Sequence, residues 1–200
     1  MQNKMKKTIT TINSLAALFT TAAILTISSC SNNSGNVSQS EIDSLRNQIK
    51  ELTSGNEMIA KNLQTFDTLD YTVFSNQEWT RLHESHAADI IVHWPDGHFT
   101  TGIQRHIEDL KAMFVYAPDT RIKQHPIRIG SGKMTAVMGV MEGTFTKPMP
   151  IGNGKFIQPT GKSFKLPMCT IGIWKDDGSM SEEYLFWDNQ TYMNQLGLGK

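Results

Sequence analysis

Between residues 42 and 66 apolar side chains recur at alternating spacings of three and four: Ile42, Leu45, Ile49, Leu52, Ile59, Leu63 and Phe66. Asn56, next to Ser54-Gly55, is the one break in the series. This is the period of a helix with one apolar face, and Ser40 stands where its cap belongs. Two arrangements satisfy it. One is a short coiled coil that oligomerises the chain. The other is a stalk helix to Leu52, a break at Ser54-Gly55 and a second helix packed on the domain. The second is preferred, since short isolated helices are marginal in water and the stripe must bury.

Downstream, the pattern predicts helices over 57–75 and 76–88, the latter capped by Ser75 or Asn76 and carrying Trp79, Leu82 and His86 on one face. A third is predicted over 102–116, where Ile107, Leu110, Met113 and Phe114 keep core spacing. Ile90-Ile91-Val92 reads as a strand entry and Pro95-Asp96-Gly97 as a turn. Long β segments follow at about 120–130, 133–147, 162–175 and 179–192. Gly130-Ser131-Gly132, the loop from Pro148 to Gly161, and Asp176-Asp177-Gly178 divide them. Short separators between long strands mean antiparallel hairpins. Helices followed by a run of strands predict an α+β domain over 56–200, with helices on one face of a curved sheet.

The first thirty residues have a different pattern. Lys4, Lys6 and Lys7 precede a stretch, residues 8–29, without any charge, in which Leu15-Ala16-Ala17-Leu18-Phe19 and Ala22-Ala23-Ile24-Leu25 form an apolar region. Threonines interrupt it, which makes it a poor permanent span. It closes on Ile27-Ser28-Ser29-Cys30, which looks like the lipobox of bacterial lipoproteins, an aliphatic residue and two small ones before the cysteine that is acylated. The expectation is a signal peptide over 1–29, a lipidated tether and stalk over 30–55, and a protein exported to the cell envelope and held to a membrane through Cys30. Ser31 to Ser40 is polar and without periodicity, as a flexible tether is.

Removing residues 1–29 leaves sixteen basic against nineteen acidic residues. No cluster of Lys and Arg stands out, so the chain has no electrostatic footprint for nucleic acid. With Cys30 lipidated, Cys169 is the remaining thiol and no intramolecular disulfide forms.

Several stretches together resemble the SnoaL-like polyketide cyclases, or ester cyclases, of the nuclear-transport-factor-2-like superfamily. They are His93-Trp94-Pro95-Asp96-Gly97-His98 with Gly102, Pro118-Asp119, Glu142-Gly143-Thr144-Phe145, Pro159-Thr160-Gly161-Lys162, Glu182-Glu183-Tyr184-Leu185-Phe186-Trp187-Asp188-Asn189 and Gln195-Leu196-Gly197-Leu198. The resemblance covers about 60–198. It implies a cone, a bent antiparallel sheet wrapped round N-terminal helices, with a pocket at its mouth. There the cyclases close a ring by aldol chemistry without metal or cofactor, using an aspartate on the last strand that matches Asp188. The histidine that assists that aspartate has no counterpart: the equivalent place is at or beside Trp174, and no histidine lies between Thr144 and Lys200.

The residues themselves offer further candidates. A carboxylate at Asp188, behind Leu185-Phe186-Trp187, would be desolvated and its pKa raised toward neutrality, as acid/base work requires; the competing role is capping backbone amides. His93 or His98 is a candidate substitute base. Trp94, His98, Trp174, Phe186 and Trp187 are candidate pocket walls, where aromatic rings stack on flat ligands. Glu142 and Glu183 face either pocket or solvent, and strand alternation favours solvent. Met134, Met138, Met141, Met149 and Met168 suit an adaptable lining or an ordinary core. His83, His86, His93, His98, His106 and His125 show no metal-ligand spacing such as His-Glu-x-x-His, so no metal site and no cofactor are expected. Gly161-Lys162-Ser163 lacks the earlier glycine of a phosphate-binding loop, Phe156 standing in its place. Two functions remain. One is cofactor-free acid/base catalysis on a small apolar carbonyl or ester compound; the other is capture of a small hydrophobic molecule without chemistry. Homo-oligomerisation through residues 42–66 is compatible with both.

Overall fold

A computed structural model describes residues 37–199. The expected signal peptide and Cys30 lie outside the described residues. Among the described residues, no helix is long and apolar enough to cross a membrane.

Helix α1 runs unbroken over Gln39–Thr68, correcting the expected break at Ser54-Gly55. One interior glycine costs a helix about 1 kcal/mol relative to alanine, which thirty residues of otherwise helix-compatible sequence absorb. Its last turns bury Asn62 and Phe66, after which a π turn, Leu69–Phe74, widens the helix and buries Leu69, Val73 and Phe74. The helix expected over 76–88 is replaced by a 3-10 turn, Trp79–Glu84, and by the start of a strand. Gln77, at φ 58°, stops the helical path. The β-branched run Ile90-Ile91-Val92 then draws the chain into strand β1, His86–His93.

The remaining strands are β2 (Phe99–Thr101), β3 (Arg121–Ile122), β4 (Ile127–Ser131), β5 (Met134–Thr144), β6 (Met149–Pro150), β7 (Phe156–Ile157), β8 (Ser163–Trp174) and β9 (Met180–Trp187). Helix α2 spans Ile103–Tyr116 and α3 spans Asn189–Leu196. The main sheet has the order β2-β1-β9-β8-β5-β3, with β4 also on β5. Its pairs are antiparallel apart from β1 and β9, which run parallel with Val92 opposite Glu183. Gly102 supplies the left-handed backbone (φ 93°) between β2 and α2, and its N–H donates to the Ile90 carbonyl at 2.8 Å. The fold is α+β, a curved sheet closing on helices.

Two further boundaries differ from the pattern. The segment expected over 120–130 is two short strands, because His125-Pro126 interrupts the ladder. The segment expected over 179–192 is a strand only to Trp187, and Asp188 then opens α3. On β5, Thr135, Val137, Met141 and Gly143 point inward, as do Phe164 and Leu166 on β8 and Glu183 and Leu185 on β9. The inner sheet face, the π turn and α2 enclose the core.

Candidate functional site

Within that core lies a cavity of about 40 Å³. Its wall is largely apolar: Leu69, Phe74, Leu110, Met113, Ile122, Met141, Met168, Leu185 and Trp187. Four titratable groups interrupt it: Asp70 from the π turn, His86 from β1, His106 from α2 and Glu183 from β9.

Glu183 is inward because it shares the parity of Leu185 on β9. Its Oε2 lies 3.2 Å from His106 Nε2 and 3.6 Å from His86 Nε2, with all three side chains buried. The two imidazoles are 5.1 Å apart, and Ser85 Oγ fixes His86 through Nδ1 at 2.8 Å. Burial by itself pushes a carboxyl up, but the close approach and positive charge of His106 and His86 outweigh it and hold Glu183 well below the usual range. Glu183 is therefore an anion in an apolar core, held by two histidines. His86 Nε2, His106 Nδ1 and Glu183 Oε2 have no hydrogen-bond partner within bonding geometry among the described residues. The ligand atoms of this trio lie within 4.8 Å of one another, close enough to hold a divalent cation. They come from three elements, so no ligand spacing marks them in the sequence.

On the other wall, Asp70 bonds His125 Nε2 at 2.8 Å, and His125 Nδ1 bonds Asp67 at 2.7 Å. Arg128 pairs with Asp67 on its outer side, and Tyr71 stacks on the His125 ring with centroids 4.5 Å apart. Burial pushes the Asp70 carboxyl up, the bond to His125 offsetting only part of it, and the nearby charge of Glu183 acts in the same direction. Burial opposes a proton on His125, yet Asp70 and Asp67 together raise its pKa. The Asp70–His125 pair therefore holds its shared proton more tightly than either group would alone. The cavity is flanked by two carboxylates whose proton affinities are driven in opposite directions, the pattern that separates acid from base in enzyme sites.

Of the pocket candidates singled out in the sequence, Met141, Met168, Trp187 and Glu183 line the cavity, Glu183 against the expectation that it faces solvent, and the others are placed elsewhere. Asp188 is exposed, and its carboxylate accepts a hydrogen bond from the Thr191 N–H at 2.8 Å as the N-cap of α3. The expected desolvation does not occur, because the strand has ended and the chain has turned outward. Asp188 borders an open groove of about 460 Å³ with Pro95, Met138, Pro167, Met168, Cys169, Phe186 and Trp187. Phe186 lies on the outer face, half exposed. His93 is also on the outer face, stacked on Tyr184 at 4.1 Å and 3.4 Å from Glu182, with the sheet between it and the cavity. His98 pairs with Asp96 in the exposed turn. Trp94 stacks on His98 and approaches His106 and Trp187 at 6.1 and 6.3 Å, bonding Thr100 through its indole N–H. Trp174 is a core residue whose indole N–H donates to Thr135 Oγ1 at 2.8 Å, away from the cavity. Glu142 faces out, toward Lys123 and Arg121.

Sequence reasoning missed Asp70, His86, His106 and His125 as a group. Two signals were present. The period of two from Leu185 sets Glu183 inside, and the period of four from Leu110 sets His106 on the core face of α2.

No curated protein matches the sequence. Solved structures do. A proposed SnoaL-like polyketide cyclase from Jannaschia sp. CCS1 is 17% identical with a TM-score of 0.61, over 70% of this chain and 94% of that one. IdmH, a proposed polyketide cyclase from Streptomyces antibioticus, is 23% identical with a TM-score of 0.57, over 68% of this chain and 98% of that one. A protein of ketosteroid-isomerase-like fold from Catenulispora acidiphila, in complex with trimethylamine, is 13% identical with a TM-score of 0.54, over 68% and 92%. At these identities the likeness is one of fold. The profile of the SnoaL-like polyketide cyclases matches residues 64–196, the stretch that holds the sheet, α2, α3 and every titratable group of the cavity. With two thirds of its length matched, this chain belongs to the SnoaL-like polyketide cyclase family.

Proposed function

We propose that the interior cavity takes a small apolar carbonyl or ester compound and that its side chains carry out acid/base chemistry on it. The observation that carries this reading is the placement of Asp70, backed by His125, and of Glu183 with its two histidines on one largely apolar cavity, with their proton affinities driven apart. Asp70, whose hold on a proton is strengthened by burial, accepts a proton from the carbon next to the carbonyl and returns it. His106, whose Nε2 faces Glu183, hydrogen-bonds through its unpartnered Nδ1 the oxygen where negative charge develops, while His86, set between Ser85 and Glu183, holds Glu183 in place. Asp188, the residue that the family resemblance points to, keeps a structural role as the cap of α3. Met168 and Trp187 border both the cavity and the open groove, so they form the wall through which a ligand passes.

The size of the cavity favours a second reading. At about 40 Å³ it holds a few waters, and a module that opens only to capture a hydrophobic molecule needs no chemistry. Hydrogen exchange separates the two. Incubating the protein in D2O with a panel of small ketones and esters, followed by mass spectrometry, should show deuterium entering next to the carbonyl faster than in buffer. Asp70→Asn should abolish that rate, and Asp188→Asn should leave it. Exchange no faster than buffer across the panel, with binding retained, would establish capture without catalysis.

We propose further that the mature protein stands at the cell envelope, held by lipid on Cys30. The support is the charge-free apolar stretch over 8–29 and its closing Ile27-Ser28-Ser29-Cys30.

A further inference from the structure

The N-terminal half of α1 carries an apolar face that the domain does not cover. Leu45, Ile49 and Leu52 are 55%, 64% and 69% exposed, while Leu63 and Phe66, on the same stripe, pack into the core. The changeover is at Ile59, whose side chain meets Gly130 of β4. Because the helix is continuous, Ile42, Leu45, Ile49 and Leu52 form one uninterrupted a/d series: isoleucine at both a positions and leucine at both d positions. That choice of side chains favours two parallel strands.

We propose that this face pairs with the same face of a second copy of the chain, forming a parallel, in-register, two-stranded coiled coil over residues 39–55. Charge supports the parallel alignment. With Ile42 at a, Glu41 falls at a g position and Arg46 at the e position five residues on. In a parallel pair this brings Glu41 of one copy opposite Arg46 of the other, at both edges of the seam. Asn56 occupies the next a position, where the apolar series stops. Gly55, with nothing within 4 Å of where a Cβ would stand, marks the point at which the helices separate, each entering its own domain. The pairing does not depend on the reading of the cavity. Four apolar layers make a weak coil by themselves, so pairing depends on local concentration, which an N-terminal anchor would raise.

The test uses the full chain in a Cys169→Ser background, with single cysteines introduced at a, d and f positions and mild oxidation in cells. Ile42→Cys, Ile49→Cys and Leu52→Cys should each give a disulfide-linked dimer. Asn47→Cys, at f on the far side of the helix, and the background chain should not. Arg46→Glu should lower the Ile49→Cys dimer several-fold, and adding Glu41→Arg should restore it. Dimer at only one of the three seam positions would indicate antiparallel pairing and overturn the proposal. Equal linkage at Asn47→Cys, or none at any seam position, would overturn it as well.

Discussion

Along β9 successive side chains cross the sheet, so Glu182 reaches out to His93 and Tyr184 while Glu183 reaches in to His86 and His106. The same alternation on β1 sends His93 out and Trp94 toward the core. Sequence made His93 a candidate base because it stands beside the Trp94-Pro95-Asp96-Gly97 turn, and the parity of one residue removes it from the cavity. His125 shows the opposite case. Nothing around it in sequence marks it, since its partners Asp67 and Asp70 lie more than fifty residues away. Its environment makes a pH prediction. A histidine with a raised folded pKa contributes stability that is fully present below about 6.5 and is lost as pH rises through the folded value. NMR titration should therefore find His125 above the ordinary histidine range. Asp67→Asn should lower it, because Asp70 then remains as the one carboxylate on the ring, with Arg128 left unpaired beside it. A His125 that titrates normally in the parent protein would refute the shared-proton pair.

At the scale of elements, the errors of the sequence pattern fall at transitions, while the long strands β5 and β8 were legible from their turns. The pattern predicts strand through residue 192, and Phe186, Trp187, Thr191 and Tyr192 are β-favouring, yet Asp188 caps a helix there and Gly197 ends it in the left-handed region at φ 78°. A cap is a local hydrogen-bonding choice that hydrophobic periodicity does not encode. Its test is direct. Asp188→Ala should lower unfolding free energy in urea by about 1 kcal/mol, while Asp188→Asn, which caps as well, should be nearly neutral. A large loss with asparagine would return Asp188 to the site chemistry. Ser54-Gly55 taught the converse lesson on α1: two poor helix formers do not end a helix that has packing at one end and a long run of neighbours on both sides.

For the whole molecule, the α+β class and the curved sheet were readable because the helix and strand periods separate cleanly along the chain. The cavity was not, because its polar groups come from the π turn, β1, α2 and β9, and only the closure of the cone brings them together. The anchor belongs to this scale too. Replacing Cys30 with serine should release the protein from the membrane fraction of cells, and unchanged fractionation would refute lipidation there. The central claim is that the interior cavity, and not the groove at Asp188, is where a small molecule binds. Three methionines, Met113, Met141 and Met168, line that cavity, while Met138 lines the groove alone. Methyl NMR of methionine-labelled protein, titrated with the ketone and ester panel, tests it most directly. Saturable shifts at Met113 and Met141, lost in a Glu183→Gln variant that still folds, are the predicted result. Shifts confined to Met138, with Met113 and Met141 unmoved, would contradict it.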